Sequence, residues 1–96
     1  MVAADVTTRW NMDNVSDLYL FAHLIEAGSI SAAASALSSS PPAVSRRLAN
    51  LEARLGIRLI TRTSRRFEAT DEGRLFYERC VSILQQIEDA EAEAAS

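Results

Sequence analysis

The sequence predicts a mainly α-helical chain in which three short helices and a small β-hairpin precede one long helix. Two observations indicate this fold class. Apolar residues make up 48% of the 96 residues and recur in four segments at the spacings of a helix face. Between residues 57 and 69, β-branched and apolar residues instead flank a polar centre, which is the pattern of a short hairpin. A chain of this length forms one domain.

The segment from residue 40 to residue 56 carries the signals of a complete helix. Ser40 is suited to cap its N-terminus, Pro41 to occupy its first position, and Gly56 to end it in the left-handed conformation. Its apolar residues recur at intervals of 4, 3 and 4 and are expected to face the core: Val44, Leu48, Leu51 and Leu55. The opposite face suits a DNA groove, because it carries small and hydrogen-bonding side chains: Ser45, Arg46, Ala49, Asn50, Ala53 and Arg54.

Two shorter helices are predicted before this segment. The first begins near Asn14, with Asp13 or Asn14 as its cap, and ends at Gly28. The second is capped by Ser29, and its apolar face is formed by Ile30, Ala33, Ala34 and Leu37. A flexible Ala/Ser linker is the alternative for the second segment, but the helical spacing disfavours it. Residues 38–39 then form a turn, which gives the spacing of a helix-turn-helix unit although the frequent glycine is missing.

The wing, defined here as residues 57–69, is the predicted hairpin, and its tip lies at residues 63–66. Two strands this short are marginally stable alone, so Leu59 and Phe67 are expected to pack against the helices. Thr70 is expected to cap the last helix, where the acidic residues that follow suit the positive end of the helix dipole.

The last helix carries two apolar stripes. One is a heptad seam with intervals of 4, 3, 4, 3 and 4, formed by Phe76, Cys80, Ile83, Ile87, Ala90 and Ala94. The second stripe is formed by Tyr77, Val81 and Leu84. Two stripes require two partners, so we expect one to contact the body of the domain and the seam to contact the same helix of a second copy. This predicts a homodimer.

The charge of the chain is unevenly distributed. The formal net charge is −3, but residues 41–66 hold seven Arg and one Glu, a local charge of +6. Salt screens charges beyond about 10 Å, so a ligand senses this local surface more than the total. These arginines are expected to have close acidic neighbours only near Glu52 and Glu68. We interpret the basic block as a nucleic-acid surface rather than an ordinary solvated face: Arg46, Arg47, Arg54, Arg58, Arg62, Arg65 and Arg66.

Other chemistry has little support in the sequence. His23 lies among apolar residues, where a packed histidine is far commoner than a catalytic one, and Cys80 reads as a buried thiol rather than a redox switch. One Cys and one His cannot close a zinc site. No nucleophile motif, phosphate loop, signal peptide or membrane segment is recognisable, so we expect a cytoplasmic protein without cofactor or enzymatic activity.

Several short motifs, taken in order, resemble the amino-terminal domain of LysR-type transcriptional regulators. They are Leu18-Tyr-Leu-Phe, Gly28-Ser29, Ala33-Ala34, Leu37, Ser40-Pro-Pro-Ala-Val-Ser-Arg, Leu51-Glu52, Leu55-Gly-Ile-Arg-Leu, Thr61-Arg-Thr and Thr70-Asp-Glu-Gly. The resemblance implies a winged helix-turn-helix domain at residues 13–69 and a linker helix for dimerisation at residues 70–96, after a flexible tail at residues 1–12. It also implies that the effector domain, which binds a small co-inducer and can support tetramers, is absent from this chain.

The resemblance further implies which residues contact double-stranded promoter DNA at a partly palindromic site. Base contacts fall on Pro42, Ser45 and Arg46, a phosphate contact on Ser31, and a minor-groove contact on Arg65. The set of predicted DNA contacts further includes Pro41, Asn50, Arg62 and Arg66. Many family members have Gln where this chain has Pro41, so a possible adenine contact is missing here.

Two other functions compete with this interpretation. The first is a helical interaction or dimerisation adaptor that uses the seam and never touches DNA, but such an adaptor has no use for Arg65 and Arg66 at a hairpin tip. A winged-helix repressor of another family, such as the MarR type, is disfavoured because no helix is predicted before Asp13.

Overall fold

Four helices and one hairpin make up the part of the chain described by the computed structural model, which comprises residues 12–63 and 66–96. The elements are, in order, α1 (Met12–Ala27), α2 (Ile30–Ala36), α3 (Pro41–Leu55), β1 (Ile60–Arg62), β2 (Phe67–Ala69) and α4 (Asp71–Ala95). The strands are antiparallel, with Thr61 opposite Glu68. This order confirms the predicted winged helix-turn-helix fold followed by a long helix. One predicted boundary is wrong, because α1 begins at Met12 rather than near Asn14.

The predicted caps of α2, α3 and α4 all form. The side-chain oxygens of Ser29, Ser40 and Thr70 each accept a hydrogen bond from the backbone N–H three residues later, at 3.0, 3.3 and 2.9 Å. Gly28 and Gly56 follow the ends of α1 and α3 with φ angles of +80° and +73°. Glycine adopts this left-handed conformation without the steric cost that a side chain would add, so the chain changes direction at both points.

The turn between α2 and α3 is built without glycine. Ser38 takes the left-handed conformation there, with a φ of +53°, at a cost of roughly 1–2 kcal/mol. The N–H of Ser38 donates to the carbonyl oxygen of Ser35 at 3.2 Å, and the N–H of Ser39 donates to that of Ala34 at 2.8 Å. Both backbone donors of the turn are therefore satisfied, which offsets part of the cost.

The hydrophobic core joins the four helices and the first strand of the wing, and α2 contributes its buried Ala33 and Ala34. Its large, fully buried side chains are Leu20, Phe21, Leu24, Val44, Leu48, Leu51, Leu59, Ile60 and Cys80. The rings of Phe21 and Phe76 pack with their centroids 5.3 Å apart. Leu55, predicted to be a core residue, is instead 37% exposed, because it is the last residue of α3 and the chain turns away from the core at Gly56. Leu59 lies in the core as predicted.

Helix α4 is about 37 Å long at 1.5 Å per residue, and it extends past the body of the domain. Its last half-buried residue is Leu84, and every residue from 85 onward is exposed. The predicted seam is therefore wrong in its first two positions, since Phe76 packs on the core and Cys80 has no exposed surface left for a second copy. The seam lies on the side of α4 that faces the body, so its first residues are covered. Its later residues remain exposed: Ile83, Ile87, Ala90 and Ala94.

Candidate nucleic-acid interface

One exposed face of α3 brings together five of the residues predicted to contact DNA. Three or four residues separate neighbours on the same side of a helix, so residues 41, 42, 45, 46 and 50 lie on successive turns of this face. Pro41, Pro42, Arg46 and Asn50 are exposed, and Ser45 is half-buried beside them. The capping of α3 at both ends makes this face a rigid surface.

Arg46 is the arginine of this face that is available to a ligand. Its side chain is exposed and makes no hydrogen bond or ion pair with any residue in the described ranges 12–63 and 66–96. A guanidinium in this state offers all five of its N–H donors. Presented from a helix, it can form a bidentate pair with the O6 and N7 atoms of guanine in the major groove.

Arg62, the last residue of β1, reaches back to α3. Its Nη1 lies 3.4 Å from the Oγ of Ser45, and its Nη2 lies 4.0 Å from the Oε1 of Glu52. The side chain of Arg62 is only 29% exposed. Two predicted DNA contacts, Ser45 and Arg62, are therefore neighbours although they come from different elements.

Glu52 is a residue of this site that the sequence-based prediction missed. Its Oε2 accepts hydrogen bonds from the backbone N–H groups of Leu59 at 2.8 Å and Ile60 at 3.2 Å, while its Oε1 lies 3.7 Å from the Nη1 of Arg58. These partners compensate the burial of a residue that is only 8% exposed. A signal was present in the sequence, because Glu52 follows Leu48 by four residues and so falls on the apolar face of α3.

Two arginines of the basic block pair with residues of α1, with side chains that remain 41% and 46% exposed. The Nη2 of Arg54 lies 3.0 Å from the Oδ2 of Asp17, and the Nη2 of Arg47 donates to the Oγ of Ser16 at 2.7 Å. Arg47 also lies 3.8 Å from the other oxygen of Asp17. One prediction is therefore wrong, because the basic block has an acidic neighbour, Asp17, in addition to Glu52 and Glu68. The place of Arg54 on the DNA-facing surface stays a prediction, and its guanidinium is already paired. Asp17 is 37 residues from Arg54, so sequence spacing gave no sign of the pair.

The wing tip is described except for residues 64 and 65, so the predicted minor-groove contact, Arg65, lies outside the described residues. The N–H of Thr63 donates to the carbonyl oxygen of Arg66 at 3.0 Å, and the N–H of Arg66 donates to the Thr63 hydroxyl at 3.0 Å. The guanidinium of Arg66 pairs with Glu68 at 3.2 Å, with both side chains more than half exposed. An exposed pair of this kind contributes less than about 1 kcal/mol, so Arg66 can exchange it for a phosphate.

Ser31, the predicted phosphate contact, is exposed in the first turn of α2. Its hydroxyl has no hydrogen-bond partner among the residues that the structure describes. It can therefore donate to a phosphate oxygen without breaking a contact in the protein. The neighbouring hydroxyl of Ser29 differs in this respect, because it already caps α2.

His23 and Cys80, the two side chains considered above for catalysis or redox chemistry, are both packed against other parts of the protein. The ring of His23 packs edge-on against Tyr19, with centroids 4.4 Å apart. Burial raises the pKa of the Cys80 thiol to about 11, which keeps it protonated at neutral pH.

Across residues 12–63 and 66–96, no three His, Cys, Asp or Glu side chains converge on a possible metal position. None of the helices in that same part of the chain combines the length and the apolar character needed to cross a membrane.

These elements define a winged helix-turn-helix DNA-binding domain: a short helix and a tight turn lead into a capped helix with an outward guanidinium, and a basic hairpin follows. The family model of the bacterial regulatory helix-turn-helix proteins of the lysR family matches residues 15–74. The chain belongs to this family. The resemblance seen in the sequence is thereby confirmed, and the MarR-type alternative is wrong.

The relatives that this chain matches are longer regulators. The HTH-type transcriptional regulator CrgA of Neisseria meningitidis serogroup C (strain 8013) is 40% identical over 80 residues, which cover 83% of this chain and 27% of CrgA. The HTH-type transcriptional regulator PtxR of Pseudomonas aeruginosa is 42% identical over 82 residues, which cover 85% of this chain and 26% of PtxR. The chain spans about a quarter of the length of the curated relatives it matches.

Two solved structures with the same fold are complexes with DNA. The BenM DNA-binding domain with benA site 1 DNA matches with a TM-score of 0.80 and 32% identity, over 84% of this chain and 91% of that one. The CbnR DNA-binding domain with DNA matches with a TM-score of 0.74 and 35% identity, over 85% of this chain and 98% of that one. The winged helix-turn-helix and the long helix of this chain are thus those of LysR-family DNA-binding domains.

Proposed function

We propose that this chain reads a promoter sequence in double-stranded DNA, with α3 in the major groove and the wing at an adjacent minor groove. The observation that carries the proposal is the exposed guanidinium of Arg46, which has no partner among the described residues and stands on the polar face of α3. Ser45 and Asn50 supply further groups for base edges on the same face. Ser31 and Arg66 lie at positions suited to phosphates, which fix the register without carrying sequence information.

The long helix supports a homodimer as the binding unit. Ile83 and Ile87, which lie on one side of α4, are 36% and 38% exposed, and a second copy would bury this apolar surface. The C-terminal end of α4 carries four acids and no basic residue, Glu88, Asp89, Glu91 and Glu93, whereas residues 71–82 carry two Arg against three acids, a net charge of −1. A parallel pair of helices would bring the acidic ends together, so this charge pattern favours an antiparallel pair. Two copies related in this way fit a partly palindromic site.

The biological setting that we propose follows from the family. The relatives CrgA and PtxR carry names of transcriptional regulators, and this chain corresponds to their DNA-binding portion. We therefore propose a role in transcription in the cytoplasm, where bacterial DNA lies, by binding and without catalysis. A small co-inducer, and any tetramer, would depend on a further effector domain of a full-length regulator.

Salt dependence of DNA binding tests this function. The probes are the tightest duplex that the protein selects from a random-sequence library and a scrambled duplex of equal composition. If each subunit neutralises about four phosphates, the logarithm of the affinity falls with the logarithm of salt with a slope of about −7, or about 10⁴-fold between roughly 50 and 200 mM. A flat salt response, or equal affinity for both duplexes, would refute the proposed function.

A further inference from the structure

We propose that Glu52 is a positioning residue for sequence discrimination, because its carboxylate holds the guanidinium of Arg62 beside Ser45 and fixes the wing to α3. This inference rests on the proposed DNA binding. Glu52 itself is only 8% exposed, so its role is exerted through Arg62 and the wing rather than by contact with DNA.

Glu52 controls the path of the backbone from α3 into the wing. Its main-chain carbonyl oxygen accepts hydrogen bonds from the N–H groups of Gly56 at 2.8 Å and Ile57 at 3.2 Å. Its carboxylate accepts from the N–H groups of Leu59 at 2.8 Å and Ile60 at 3.2 Å. One residue therefore binds the chain on both sides of residue 58, and β1 leaves α3 in one fixed direction.

Two arginines, Arg58 and Arg62, lie near the carboxylate of Glu52, and their side chains differ in exposure and in further contacts. The guanidinium of Arg58 lies 3.7 Å from Oε1, but its side chain is 64% exposed. The guanidinium of Arg62 lies 4.0 Å from Oε1, is 29% exposed and also reaches the Oγ of Ser45 at 3.4 Å. Arg62 thus bridges an acid behind α3 and a hydroxyl on its DNA-facing surface. A side chain held at two points loses less conformational freedom when it meets DNA.

The charge of Glu52 has a second effect. An arginine with a neighbouring carboxylate contributes less net charge to the attraction that any DNA duplex exerts. Glu52 therefore lowers the affinity for arbitrary sequences while it holds Arg62 in the geometry needed at the correct one. Both effects act in the same direction, toward a higher ratio of selected to scrambled affinity.

The substitution Glu52→Gln separates these effects from folding. The amide oxygen of glutamine can still accept from the N–H groups of Leu59 and Ile60, but the charge that holds Arg62 is lost. We expect the affinity for the scrambled duplex to rise about threefold and the salt slope to steepen by about one charge. We expect the ratio of selected to scrambled affinity to fall at least about tenfold, as for the loss of one good base contact.

Glu68→Gln is the matched control, because it removes one acid from the same wing where that acid is exposed and only pairs with Arg66. It should raise the affinity for both duplexes to a similar extent and leave their ratio unchanged. If Glu52→Gln keeps the parent's ratio, or if Glu68→Gln lowers it equally, Glu52 has no positioning role. If the parent itself does not distinguish the two duplexes, the proposed function fails instead.

If the circular dichroism spectrum shows that Glu52→Gln does not fold like the parent, Arg62→Lys tests the positioning role of Glu52 instead. Arg62→Lys keeps the charge, but an ammonium cannot span Ser45 and Glu52 as the guanidinium does. For Arg62→Lys we expect an unchanged salt slope and a fall of at least about tenfold in the ratio of selected to scrambled affinity. An unchanged ratio would overturn the proposal.

Discussion

The guanidinium of Arg54 lies 3.0 Å from the carboxylate of Asp17, and this pair joins α3 to α1. Arg47 approaches the same carboxylate at 3.8 Å. Successive residues of a helix point about 100° apart, so Arg46 is directed away from these contacts although it is adjacent to Arg47 in the chain. A basic block that looks uniform in sequence therefore contains arginines paired within the fold and an arginine that is open to a ligand.

Replacing Arg46 with alanine should relax sequence discrimination without weakening the fold. A bidentate arginine–guanine pair contributes about 1–3 kcal/mol of discrimination, so the ratio of selected to scrambled affinity should fall about 10- to 100-fold. The control Arg54→Ala should leave that ratio unchanged and lower the free energy of unfolding by less than about 1 kcal/mol, since its ion pair is partly exposed. Titration of both duplexes checks this, and equal losses on the two duplexes for Arg46→Ala would remove it from base readout.

Replacing Ile83 with aspartate should convert the proposed dimer to monomers. Ile83 is 36% exposed on α4, and in a dimer its replacement would bury an unpaired carboxylate at the interface. Such a charge costs about 3–5 kcal/mol, so the dimer should weaken at least about 100-fold. Sedimentation equilibrium gives the molecular mass, with the exposed neighbour Ser82→Asp as the control. A parent protein that is monomeric at tens of micromolar would contradict the proposed interface.

Gly73→Ala should destabilise the fold more than Gly28→Ala. A Cβ atom at Gly73 would overlap the carbonyl oxygen of Leu59 and lie 3.0 Å from its carbonyl carbon, and backbone atoms cannot rotate away. We expect the free energy of unfolding to fall by about 3 kcal/mol, at the upper end of overpacking costs. At Gly28 there is open space, and the only cost is a side chain at a φ of +80°, about 1 kcal/mol. Urea denaturation measures both, and equal losses would show that α4 can shift away from Leu59.

Stability should fall in alkaline solution because Cys80 is buried. Burial raises the pKa of this thiol from 9.0 to about 11, so above pH 9 the unfolded chain releases a proton that the folded chain retains. The corresponding stability is fully present below about pH 9 and is lost as the pH rises toward 11, with a loss of about 1 kcal/mol at pH 10.

Cys80→Ala isolates this effect. The pKa of Tyr77 is also raised, chiefly by its hydrogen bond to Glu26, and this residue acts in the same direction in both proteins. Urea unfolding at pH 8 and pH 10 should therefore show a smaller decrease in stability for the variant than for the parent. Identical decreases would mean that the thiol ionises as readily in the folded protein as in the unfolded one.

Features that depend on nearby residues could be predicted from the sequence. The caps at Ser29, Ser40 and Thr70 each involve a backbone N–H only three residues away, so their side chains and positions are sufficient to identify them. The end of α3 at Gly56 is equally local. The polar face of α3 follows from the same helical period, which is why much of the candidate site could be recognised.

Features that depend on how the elements pack could not be predicted in this way. The pairing of Asp17 with Arg54 requires knowledge of how α1 docks on α3. The bonds from Glu52 to Leu59 require the course of the turn after α3. The prediction that Cys80 lies in the seam is wrong for the same reason. A heptad period shows which residues share a side of α4, but not that the domain body already covers Cys80.

The hydrogen bonds of Leu59, at the start of the wing, affect which spacing of DNA half-sites a dimer can bind. The N–H and the hydroxyl of Thr70 bond to the carbonyl oxygen of Leu59 at 2.9 and 3.2 Å, and Glu52 binds the N–H of the same residue at 2.8 Å. One peptide segment is thus clamped between α3 and α4, so the two helices cannot pivot independently. In a dimer joined through α4, this joint sets the separation of the two α3 helices. If the spacing of the two half-sites changes by about 10 base pairs, one turn of the duplex, both half-sites still lie on the same side of the DNA. If the spacing changes by half a turn, one half-site lies on the opposite side, where the second α3 of a rigid dimer cannot reach it.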